Sequence, residues 1–145
     1  MMKQFLVVVD DSASALRAAE VAIELAAALG TSLTLVTVVE DHVLDAKLRA
    51  AAIPEAAERR ARGAVAMLSR VAARAAGRGI RTETEILSGR GAEQVLAIAG
   101  RSGADLIVVA REPRQQTGRG TSVNVEHLLE FADIPVLVVP PSSDK

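Results

Sequence analysis

Two places in the 145-residue sequence hold residue types able to handle a phosphate or a cation. The first is Asp10-Asp11-Ser12, two carboxylates and a hydroxyl directly after the apolar run Gln4–Val9. The second is VVAREPRQQTGRGTSVNVEHLL, residues 108–129. It passes from an apolar run through Arg111, Arg114 and Arg119 to Gly118, Gly120, Thr121 and Ser122, and then into a helical pattern. Glycines, arginines and the free N–H groups of a helix start are one way that proteins cradle a phosphate. Pro113 works against that use, because it has no N–H to donate and fixes φ near about −65°. The acidic pair has two readings. It caps a helix and complements the positive end of the helix dipole, or it supplies oxygen ligands to Mg²⁺.

The remaining chemistry is excluded more easily. The chain has no Cys, so disulfides, thiolate metal sites and a Cys nucleophile are ruled out. Its two histidines, His42 and His127, stand without a metal-like spacing, and His127 is expected to face solvent or to pack its ring edge. GRGTSV (Gly118–Val123) begins like a dinucleotide fingerprint but lacks the third glycine and follows the fourth apolar run instead of the first. There is neither a G-x-x-x-x-G-K-[ST] nor a G-x-S-x-G, which removes the P-loop and the nucleophile elbow. No general base for water is identifiable. The net charge of −1 gives no general pull toward nucleic acid or a membrane, and an aromatic content of 1% leaves no base-stacking platform. The arginines of ERRAR (58–62) read as the solvated face of a helix. The opening MMKQFLVVVDD is too short in apolar length for a signal or a membrane span, so a cytoplasmic location is expected.

The elements that must position these residues alternate regularly. Strands are expected at Gln4–Val9, Ser32–Val39, Ile80–Leu87, Ala104–Ala110 and Ile134–Pro140. Helices are expected at Ser14–Leu29, Pro54–Ala76, Glu93–Arg101 and Ser122–Phe131, with Gly30 and Ser102-Gly103 as stops. The third strand alternates polar and apolar residues in its middle, as at a sheet edge. EDHVLDAKLRAAAI (40–53) has no clear period. A βα alternation with short connections means an α/β, Rossmann-like parallel sheet with helices on both faces, here one domain over residues 1–140 with a frayed tail at 141–145. Ligands in such sheets sit beyond the carboxyl ends of the strands, near the switch in winding. That selects Val9–Ser12, Val38–Asp41, Ser88–Gly91 and Ala110–Ser122. A five-stranded sheet of this kind with an acidic pair also resembles a response-regulator receiver. The Asp that should end the third strand is Leu87-Ser88, however, and the Lys expected before the last proline is Val139, which excludes that reading.

Several strings in one order carry a different resemblance: FLVVVDDSASALRAAEVAIELA (5–26), LTLVTVVE (33–40), ILSGRGAEQVLAIAGRSGADLIVVA (86–110) and LLEFADIPVLVVP (128–140). Val9–Ser12 matches a V-D-x-S strand end, Gly89–Glu93 a G-x-P-A-E-like turn, and Gly103–Val108 a G-A-D-L-I-V strand. The chain resembles the universal stress protein family over essentially its full length. That resemblance implies a doubly wound five-stranded sheet of order 3-2-1-4-5 and a homodimer joined through the last strand, Pro135–Val139. In one branch of the family it also implies ATP held by G-x2-G-x9-G-[ST] after the fourth strand. Laid on that motif, the first two glycines fall on Ala110 and Pro113, and strict counting puts the third at Val123. Counting back from Pro135 reaches Ser122, and the nearest Gly-Thr is Gly120-Thr121.

The functional expectation is a stress-response regulatory or interaction protein that meets a protein partner of unknown identity, without tight ATP binding and without turnover. The alternative is an ATP- or AMP-binding member, with Mg²⁺ and at most slow ATPase activity. A cyclic nucleotide held by the loop arginines is a third option. In a nucleotide-binding member the site residues would be Val9, Asp10, Val38, Val39, Ala110, Gly118, Gly120, Thr121 and Ser122.

Overall fold

A computed structural model describes residues 2–10, 12–39, 54–111 and 123–141, with the side chains of 54–58 and 60 excepted. The elements in chain order are β1 (Gln4–Val8), α1 (Ala13–Leu29), β2 (Ser32–Val39), α2 (Pro54–Ala76), β3 (Thr82–Ser88), α3 (Gly91–Ser102), β4 (Leu106–Ala110), α4 (Val125–Phe131) and β5 (Val136–Val139). The strands form one parallel sheet of order β3-β2-β1-β4-β5. Phe5 stands between Leu33 on β2 and Leu106 on β4.

Alternation along β1 divides the core in two. Phe5, Val7 and Val9 pack with α1 and with Met67, Leu68, Val71 and Ala75 of α2. Leu6 and Val8 point to the other face, where Val95 and Ile98 of α3 and Leu128 of α4 cover them. Successive side chains of a strand face opposite ways, so a strand covered on both faces must be apolar throughout. β3 instead reads TETEILS, with only Leu87 buried, as suits its place at the edge.

The helix ends follow local chemistry. Ser12 caps α1, and Arg17, Glu20 and Glu24 face solvent along one stripe. At the other end Gly30, at φ 72°, donates its N–H to the Ala26 carbonyl at 2.8 Å. A positive φ is costly for residues with a Cβ, which is why glycine closes this turn.

Several boundaries differ from the sequence expectation. The third strand starts at Thr82 and not Ile80, because the Ile80 N–H is committed to the Ala75 carbonyl at the end of α2 (3.0 Å). The fourth starts at Leu106 and not Ala104, because the Ala104 N–H closes α3 on the Ala99 carbonyl (3.1 Å). The third helix begins two residues earlier, at Gly91, behind Arg90, an N-cap residue whose side chain makes no capping bond. The last helix begins at Val125, where the Asn124 side chain accepts the His127 N–H at 3.1 Å. Among the described residues no helix is long and apolar enough to cross a membrane.

Candidate functional site

Asp10 follows β1 at its carboxyl end, and its Oδ1 accepts the Ser12 N–H at 2.7 Å. Ser12 then turns the chain into α1, its Oγ accepting the Ala15 N–H at 3.1 Å. The capping reading of DDSAS is thus realised in Ser12, with Asp10 holding the turn before it. The second Asp10 oxygen is not tied by that bond.

Asp10 looks into an open cleft of about 490 Å³ at the carboxyl end of the sheet. One wall is the end of β2, with Thr37, Val38 and Val39. The facing wall is α2, with Gly63, Ala64, Ala66, Met67 and Arg70. Val38, Val39 and Met67 supply the apolar part of the lining, while Asp10 and Arg70 bring one negative and one positive charge. A Cβ placed on Gly63 would meet nothing within 4 Å, so the absent side chain leaves real space on the α2 wall. Small residues facing an apolar strand end, with opposite charges at the margin, suit a flat, partly polar ligand.

The structure therefore brings together three of the residues selected from sequence, Asp10, Val38 and Val39. The side chains of Val9 and Ala110 lie in the core. Both are buried beneath α1, and the Val9 N–H is spent on the Val36 carbonyl at 2.8 Å. Gly118, Gly120, Thr121 and Ser122 lie outside the described residues, as do Asp11, His42, Pro113, Arg114 and Arg119. His127 packs against Phe131, ring centroids 4.7 Å apart and tilted 42°. No group of three or more acidic or histidine side chains able to hold a metal occurs among the described residues. Among the described residues that line the cleft Asp10 is the one carboxylate.

Sequence reasoning missed the α2 wall. The signal was present: Gly63, Ala66, Met67 and Arg70 recur at three- and four-residue spacing, so they share a helix face. Which strand that face would cover was not readable from spacing.

A model of the universal stress protein family matches residues 1–140. The chain belongs to the universal stress protein family. A family member from Burkholderia pseudomallei is 27% identical, with 97% of each chain covered and a TM-score of 0.70. A universal stress protein in complex with cAMP is 21% identical, covering 97% of this chain and 98% of that one, with a TM-score of 0.70. The Archaeoglobus fulgidus universal stress protein in complex with dAMP is 20% identical, covering 96% and 98%, with a TM-score of 0.62. No curated protein matches the chain. The order β3-β2-β1-β4-β5 agrees with the universal stress protein fold.

Proposed function

We propose that this universal stress protein is a regulatory protein of the stress response that takes an adenine mononucleotide in the cleft between Asp10, the end of β2 and α2. It acts as a homodimer through β5, hands its state to a protein partner and performs no turnover. The observation that carries this reading is the cleft itself. It stands at the carboxyl ends of parallel strands, where such sheets bind ligands. Its volume of about 490 Å³ falls in the range of small-molecule sites. Related structures that hold cAMP and dAMP support the choice of ligand class.

A mononucleotide is favoured over Mg·ATP because Ala110 and Pro113 stand where the ATP-binding branch places glycines. Pro113 has no N–H to donate, and a missing charge-assisted hydrogen bond from the backbone costs roughly 1.5–3 kcal/mol, which weakens binding by about one to two decades. Calorimetric titration with AMP, cAMP and Mg·ATP tests the reading. Micromolar AMP or cAMP binding with much weaker Mg·ATP is the expected result. Absence of heat with both mononucleotides would overturn it and leave an interaction module that binds no nucleotide.

A further inference from the structure

We infer that Arg70 makes this cleft selective for anionic ligands, by pairing with the single phosphate of the nucleotide from the α2 side. The inference rests on the nucleotide reading above and adds a residue to it. Arg70 lies on the cleft wall, on α2, in the last third of the helix. It is the sole cation among the described residues that line the cleft. Several other arginines have acceptors within the fold. Arg74 pairs with Glu20, Arg90 with Glu93, Arg101 with Glu85, and Arg17 donates to the Pro140 carbonyl. Among the described residues Arg70 meets no carboxylate, so its five donors are open to a ligand. Asp10 lines the same cleft and would repel a phosphate placed near it, which favours an anion held at Arg70.

A guanidinium offers a planar fork that matches two phosphate oxygens at once. One such fork engages two oxygens of one phosphate, which suits AMP or cAMP. The spacing also separates Arg70 from a merely solvated row: one turn before it stand Ala66 and Met67, and two turns before it Gly63, all on the same wall.

The test compares AMP with adenosine on the wild type, Arg70→Gln and Arg70→Lys, by calorimetry at two salt concentrations. Arg70 is exposed, so an unchanged melting temperature is expected for both variants. The expected result is that Arg70→Gln lowers AMP affinity by about tenfold to a hundredfold while adenosine affinity stays the same. Arg70→Lys should recover part of that loss, and the AMP preference of the wild type should shrink with salt. Equal AMP affinity in the wild type and Arg70→Gln overturns the inference and leaves the nucleotide reading standing. An equal loss for AMP and adenosine also overturns it, since Arg70 would then be contacting the base or shaping the cleft. A wild type that binds neither compound overturns both readings.

Discussion

Asp10 and Ser12 form a relay at the end of β1: the Asp10 carboxylate holds the Ser12 N–H at 2.7 Å, and the Ser12 hydroxyl caps α1 on the Ala15 N–H at 3.1 Å. The residue that faces the cleft therefore also sets the start of the first helix. The two roles separate by mutation. Ser12→Ala removes the cap and should cost about 1 kcal/mol of stability in urea unfolding. Asp10→Asn keeps an acceptor oxygen for the turn but removes the charge, so stability should hold while ligand affinity changes. A loss of stability from Asp10→Asn as large as that from Ser12→Ala would contradict this division.

Gly63 lies inside α2, where glycine is unfavourable, and its missing side chain opens into the cleft. Gly63→Ala should raise stability by about 0.5–1 kcal/mol, because it restricts the unfolded chain and strikes nothing in the folded one. Gly63→Leu should fold equally well yet abolish AMP binding, since its side chain enters the space that the ligand needs. Unchanged AMP affinity in Gly63→Leu would place the ligand elsewhere.

At the other end of the sheet Asp105 ties β1 to β4. Its Oδ2 accepts the N–H groups of Lys3 (2.7 Å) and Gln4 (3.0 Å). The Lys3 bond, then the Gln4 bond, hold its pKa below the ordinary 3.8, against an opposing effect of desolvation. A carboxylate with a depressed folded pKa contributes stability fully above its unfolded pKa, and loses it as pH falls through the folded value. Asp105→Ala should therefore be less stable than the wild type at pH near 7, and the gap should narrow as the pH drops below about 4. Urea midpoints across that range check it, and a gap independent of pH would mean that the carboxylate charge contributes nothing.

Much of this architecture was legible because the strands announce themselves. FLVVV and LIVVA are apolar at every position, which requires cover on both faces, and TETEIL alternates, which places it at an edge. Gly30 and Gly103 marked helix ends correctly, since both adopt positive φ. The start of α3 was less clear because Arg90 offers no capping side chain. The cleft was half legible: Asp10, Val38 and Val39 follow from the rule for strand ends, whereas Arg70 and Gly63 reach it only through the crossover that lays α2 over β2. Ala110 was selected by motif position, but its methyl is core, and residue type alone does not separate a buried alanine from one beside a ligand.

β5 closes the sheet with VLVV, an edge with no charged residue to discourage pairing. Val136, Leu137 and Val138 are each only half-buried in the single chain. Val138→Lys should turn the proposed dimer into a monomer in sedimentation, with circular dichroism confirming that the chain remains folded. A wild type that sediments as a monomer, or a folded variant that keeps the dimer mass, would remove β5 as the interface.

The Ala110 methyl separates two explanations for weak Mg·ATP binding. Ala110 is 4% exposed and packs in the same core as Val9 and Val139, while the next N–H, of Arg111, bonds the Val139 carbonyl at 2.8 Å. Ala110→Gly alone should lower stability by roughly 1–2 kcal/mol, from the smaller buried apolar area and the added chain freedom. It should not improve Mg·ATP binding, because the methyl it removes points into the core. The stronger obstacle is then Pro113, which has no N–H to offer a phosphate. Changing Pro113 to glycine, with one residue restored to the loop, should bring Mg·ATP affinity up by about one to two decades in calorimetry, if one backbone hydrogen bond returns. Tight Mg·ATP binding by the unaltered chain, or its recovery by Ala110→Gly alone, would show that the proline is not what weakens the grip.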